Sequence, residues 1–194
     1  MSKIFCIIGK SASGKNTLYQ RILSKYPANL VPVIPYTTRP RRANEQNGID
    51  YHFVTEDQLC QMERENKIVE KRKYFTTKGI WFYFTCKFTP LPEKNYISIS
   101  TPEGVQHLAE HYSPAMIRVI YLITGDRERL ERCIERESLQ LSPDYAEVCR
   151  RFLADQKDFS DELITKLPNV YRIHTDRNIE ECMKRWLEIY TAEN

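Results

Sequence analysis

Nine residues near the amino end, Gly9-Lys10-Ser11-Ala12-Ser13-Gly14-Lys15-Asn16-Thr17, constrain the fold of this chain more than any other stretch. They follow an apolar, β-rich run, Ile4-Phe5-Cys6-Ile7-Ile8, which reads as a buried strand. They precede Leu18 to Tyr26, with Leu18, Ile22 and Leu23 at helical spacing. Strand, glycine loop and helix form the context in which G-x-x-x-x-G-K binds phosphate. Backbone N–H groups line a concave nest at the helix start, and the helix dipole and a lysine ammonium add positive potential. Gly9, Ser11, Ala12, Ser13, Gly14, Lys15, Asn16 and Thr17 are therefore the expected nucleotide-binding residues. The motif expects Ser or Thr directly after the lysine as a Mg²⁺ ligand, and here that position is Asn16. Its carbonyl oxygen also suits a hard cation and Thr17 stands beside it, so these two are the candidate metal ligands.

A length of 194 residues suits one domain with small insertions. The net charge of +3 argues against a nucleic-acid binder, and no apolar run is long enough to span a membrane. Six scattered cysteines without a C-x-x-C pair, and no targeting segment, lead us to expect reduced thiols and a cytoplasmic protein. No pattern sets an oligomeric state.

Strand-like and helical stretches alternate along most of the chain. Asn29–Tyr36 reads as a second strand broken by prolines, and Ile49–Val54 alternates like a strand. Thr55-Glu56-Asp57-Gln58 is a capping box that opens a short helix to about Glu65. Lys67–Phe75 and Ile80–Phe88 read as strands joined near Gly79. Tyr96–Ile99, Met116–Ile123 and Asn169–His174 are further strands; Pro102–His111, Asp126–Glu137, Leu139–Asp161 and Ile179–Tyr190 are helical. The expected fold is α/β: a three-layer core with a mainly parallel sheet (1–36, 93–138 and 162–194), a β-rich flap (37–92) and a helical lid (139–161).

Arg39 and Arg42 stand three apart in a proline-stiffened segment, so both can converge on one phosphate, with Tyr51 following as a hydroxyl donor; a solvated basic loop is the alternative. Glu70 is either a surface glutamate or a carboxylate that accepts from the N1–H and N2–H₂ edge of guanine. Arg132, Arg136, Arg150 and Arg151 cluster around the lid, where charge either solvates a helix or neutralises a transferring phosphoryl group.

Together these residues resemble the guanylate kinase family. Its loop, G-x-S-G-x-G-K-S-T, is matched by Gly9, Ser11, Gly14, Lys15 and Thr17. Its segment T-T-R-x-P-R-x-G-E-x-x-G-x-D-Y-x-F-V is matched by Thr37, Thr38, Arg39, Arg42, Glu45, Gly48, Asp50, Tyr51, Phe53 and Val54, and its next glutamate falls at Glu70. The lid pattern is met by Arg136 and Arg151. The resemblance implies transfer of the γ-phosphate of ATP to GMP with Mg²⁺, between small-molecule nucleotides. Lys15, Arg136 and Arg151 would be catalytic, and Arg39, Arg42, Tyr51 and Glu70 would bind the acceptor. Pro35 replaces a family hydroxyl, and Ser98 and Ser100 replace aspartates, so phosphate binding looks kept while base recognition is thinned. A different nucleoside monophosphate, ribose 1,5-bisphosphate, or an inactive interaction module are the other readings.

Overall fold

A computed structural model describes residues 2–26, 28, 30–42, 45–76, 79–175 and 178–193. In chain order the elements are β1 (Ile4–Gly9), α1 (Lys15–Lys25), β2 (Leu30–Pro32), β3 (Tyr36–Thr37), β4 (His52–Phe53), α2 (Glu56–Arg64), β5 (Ile68–Thr76) and β6 (Gly79–Cys86). There follow β7 (Asn95–Ile99), α3 (Pro102–Tyr112), a 3₁₀ turn at Pro114–Met116, β8 (Ile117–Ile123), α4 (Asp126–Ser138), α5 (Tyr145–Asp158), α6 (Asp161–Thr165), β9 (Val170–His174) and α7 (Ile179–Glu193).

The core is a parallel sheet in the order β2-β7-β1-β8-β9. Strand β1 is central and buried on both faces, which is why it reads as an unbroken apolar run rather than an alternating one. Its side chains still alternate. Phe5 and Ile7 pack with α1 and α7 through Leu18, Ile22, Met183 and Trp186. Ile4, Cys6 and Ile8 pack on the other side with Val105 and Leu108 of α3. Helices on both faces of a parallel sheet leave its carboxyl edge open for a ligand.

A second sheet, ordered β4-β3-β6-β5, combines antiparallel pairs with a parallel β3–β4 pair. The stretch expected as one strand over 29–36 serves both sheets. Leu30–Pro32 joins the core, whereas Tyr36 pairs with Phe84 in the second sheet. Pro32 and Pro35 lack N–H groups, so a continuous ladder cannot run through them. The expected start at Asn29 lies outside the described residues, as do Ala43 and Asn44 between Arg42 and Glu45. The expected strand over Ile49–Val54 shrinks to His52–Phe53. Thr55 does cap α2, accepting from the Gln58 N–H while Gln58 accepts in return. The expected helix over Leu139–Asp161 is shorter, running from Tyr145 to Asp158 with an Asp144 cap, and Asp161 begins the separate α6. Among the described residues no helix is long and apolar enough to cross a membrane.

Candidate active site

The Gly9–Thr17 loop leaves the carboxyl end of β1 and turns directly into α1. Gly14 sits at the helix start with φ of 88°, a left-handed conformation in which a Cβ is strained. At Gly9 the constraint is space: a Cβ would lie 2.5 Å from Ser13 Oγ and 2.9 Å from the Leu122 carbonyl oxygen. The Lys15 ammonium folds back over the loop and donates to the carbonyls of Gly9 (2.6 Å) and Lys10 (3.0 Å). Burial pushes its pKa down to about 8; the Arg129 and Arg136 charges push the same way and Asp155 opposes them.

Two cavities meet at this loop, and Ser11, Lys15 and Asn16 border both. The first, of about 410 Å³, reaches under the second sheet and α5 and includes Arg39, Arg42, Tyr51, Arg72, Trp81, Arg150 and Arg151 in its walls. The second, of about 580 Å³, lies on the outer side of the loop against Arg132, Arg136, Leu122, Thr175 and Ile179. The structure therefore separates the two arginines expected to act together: Arg151 of α5 faces the first cavity and Arg136 of α4 the second.

Cations line the first cavity together with the carboxylates of Glu45, Asp50, Glu147, Asp155 and Asp158. Burial lowers the Arg42 pKa, and the charges of Arg39 and Arg151 lower it further, so arginines of the loop after β3 and of α5 converge on one space. No described residue hydrogen-bonds the Arg42 guanidinium. Arg39 is differently placed, with a side chain 3% exposed. Its guanidinium donates to both Glu45 carboxylate oxygens (3.0 and 2.7 Å), to the Pro40 carbonyl and to the Tyr83 hydroxyl. It also lies 5.6 Å from the Tyr51 ring centre. Arg39 thus braces the wall that carries Tyr51, and Arg42 is the open fork. On α5, Glu147 accepts from Arg150 through both oxygens and from Arg151 Nε, which holds the Glu147 carboxyl below its ordinary pKa.

Glu70 does not present its carboxylate to either cavity. Its side chain is 1% exposed and accepts two bonds from Arg72 and one from Thr85. Arg72 borders the cavity instead. This pairing had a legible sign, because Glu70 and Arg72 stand two apart on one strand and so share a face. Sequence reasoning also missed Asp155. Its carboxylate accepts from the Ser11 N–H at 2.6 Å and from Arg129 at 3.3 Å. Arg129 is buried, pairs with Asp126 and stacks on Phe152. Next to Asp155, Gln156 accepts from Lys10. No local pattern signals contacts spanning 144 or 146 residues.

For a metal, Asn16 and Thr17 are exposed in the first turn of α1, with Asn16 bordering both cavities. Among the described residues there is no group of three or more His, Cys, Asp or Glu side chains able to hold a metal ion. A neutral oxygen donor at the junction suits Mg²⁺, which keeps several waters and takes its other ligands from phosphates.

A family model described as "Guanylate kinase" matches residues 1–79. A guanylate kinase of Porphyromonas gingivalis is 27% identical over 176 residues, 85% of this chain and 92% of that one. MAGUK p55 subfamily member 3 of Mus musculus is 24% identical over 161 residues, 81% of this chain but 26% of that protein. The crystal structure of guanylate kinase from Anaplasma phagocytophilum superposes with a TM-score of 0.68 over 99% of this chain and 86% of that one, at 19% identity.

Proposed function

From the premise that the chain belongs with the guanylate kinase family of nucleotide kinases, we propose that it transfers the γ-phosphate of ATP to GMP, giving ADP and GDP. One observation carries the proposal: two cavities share Ser11, Lys15 and Asn16, so a donor in one and an acceptor in the other would meet at the lysine. On this reading ATP occupies the outer cavity, with its phosphates on the loop N–H groups and Lys15, and Arg136 beside them. GMP occupies the inner cavity, with its phosphate against Arg42 and Tyr51, supported by Arg39. Arg151 faces the transferring group from α5.

No side chain has to act as nucleophile, because a GMP phosphate oxygen attacks the γ-phosphorus directly. The protein's contribution is alignment and neutralisation of charge. Lys15 would exchange its two loop carbonyls for phosphate oxygens, and contact with those anions would favour its protonated form. Asn16 and Thr17 would hold Mg²⁺, which supplies neutralisation of the phosphate oxygens when bound. The core, the flap and the lid would be the three working parts, and the cytoplasm the setting.

The MAGUK p55 match favours a second reading, a domain that binds without turnover. Arg39 and Glu70, already engaged internally, agree with it. Production of ADP from Mg·ATP, with GMP, AMP, UMP, CMP and ribose 1,5-bisphosphate supplied separately, decides between them. We expect GMP-dependent turnover that Lys15→Ala abolishes. Bound ATP with no acceptor turned over would overturn the kinase reading.

A further inference from the structure

Helix α5 turns two different faces outward. Glu147, Arg151 and Asp155 form its wall of the inner cavity. On another side Tyr145, Cys149 and Leu153 stand four apart, and all three are exposed, Tyr145 by 47% and Leu153 by 64%. At 3.6 residues per turn these three and the exposed Ala146 share an arc of about 100°. None of the four borders either cavity. Leu139 and Leu141, exposed by 81% and 109%, lie in the connection just ahead of the helix. An apolar surface of this kind marks a contact with another molecule, because water is a poor neighbour for it.

We infer that this stripe docks a second copy of the chain, with two α5 helices packed antiparallel about a two-fold axis at Cys149. Three features of the stripe favour a copy of itself as the occupant. Its spacing is symmetric: residues equally far before and after Cys149 meet across such an axis, so Tyr145 of each copy faces Leu153 of the other, an aromatic ring on an aliphatic side chain. Its sizes are graded to suit. The small Cys149 and Ala146 lie near the axis, where two crossing helices approach most closely, and the large Tyr145 and Leu153 flank it, where the helices diverge.

Its charges are complementary as well. Glu137 and Asp144 stand at the amino end of the stripe and the exposed Lys157 at the carboxyl end. Antiparallel pairing sets each lysine towards the acidic end of the other copy and opposes the two helix dipoles, whereas parallel pairing would set like ends together. The contact is the same patch on both copies, so it closes at two and builds no filament. An unrelated partner would have no need of a stripe symmetric about its own midpoint.

Sedimentation velocity of the full chain in reducing buffer, from about 5 to 500 µM, reads the association directly. We expect a reversible monomer–dimer equilibrium with a dissociation constant of about 1–100 µM, the range that suits a small contact. Leu153→Glu, at an exposed position that no core residue depends on, should weaken it by about tenfold or more. A short bismaleimide should trap the dimer through Cys149; Cys149→Ser should lose the crosslink, while Cys60→Ser, which removes the exposed cysteine of α2, should keep it. A chain that stays monomeric throughout would overturn the inference and leave the stripe to a different protein. A dimer that Leu153→Glu leaves intact, a crosslink that survives Cys149→Ser, or assemblies that grow past two would overturn it equally.

Discussion

Asp155→Asn isolates one charge where α5 meets the Gly9–Thr17 loop. The wild-type carboxylate accepts from the Ser11 N–H at 2.6 Å, one of the donors that a bound phosphate would claim, and from Arg129 at 3.3 Å. Asparagine keeps the shape and an acceptor oxygen but removes the charge. Two opposite effects follow. In the ligand-free chain the substitution weakens charge-assisted bonds, at a cost of about 1.5–3 kcal/mol. Arg129 still has Asp126 at 2.7 Å, which keeps the loss below that of stranding a buried cation. For a chain of this length the melting temperature should fall by roughly 3–12 °C. For ATP, each unit of phosphate charge bound within about 8 Å of that carboxylate would be repelled by ~2 kcal/mol or more at an effective dielectric constant of ~20. Its removal should tighten binding by roughly 30-fold. Melting curves of the free protein and calorimetry with Mg·ATP read the two effects separately. A lower melting temperature with weaker ATP binding would refute the reasoning, because Asp155 would then shape the loop for ATP rather than compete with it.

Lys15 yields a prediction of pH dependence with two signs. Burial holds its pKa at about 8, so the ligand-free lysine loses its proton as pH passes that value, and ATP affinity should decline between about pH 7.5 and 9. Lys15→Arg should flatten the decline as measured by calorimetry across that range. Stability moves oppositely: between about 8 and the ordinary value of 10.5 the unfolded chain binds the extra proton, so the burial penalty of Lys15 fades as pH rises. A separate substitution, Gly9→Ala, would force a Cβ to within 2.5 Å of Ser13 Oγ and 2.9 Å of a β8 carbonyl oxygen. Overpacking of this kind costs about 1–3 kcal/mol, and urea unfolding should show a correspondingly lower midpoint; an unchanged midpoint would contradict the packing argument.

The glycine loop, the Thr55 capping box, the apolar β1 and the arginine segment after Thr37 were legible in the sequence. Each depends on residues a few positions apart, whose geometry is set by backbone period, capping and turn chemistry. The α/β class was legible for the same reason, since it follows from the alternation of strand-like and helical stretches. Only the tertiary structure decided which side chains are free to act. Arg39 and Arg42 look equivalent in the segment, yet Arg39 is bound to Glu45 and Tyr83 while Arg42 is open to the cavity. Glu70 stands where the family pattern expects a base reader, yet Arg72 and Thr85 occupy its carboxylate. Asp155 reaches Ser11 across 144 residues, a pairing created by packing α5 over the loop. A hydrogen-bonding group is used up by whatever lies within about 3 Å of it, and in a folded chain those neighbours come mostly from elsewhere in the sequence. Residue order therefore determined the glycine loop between β1 and α1 and the lysine that follows it, while tertiary packing determined which charges remain available around them.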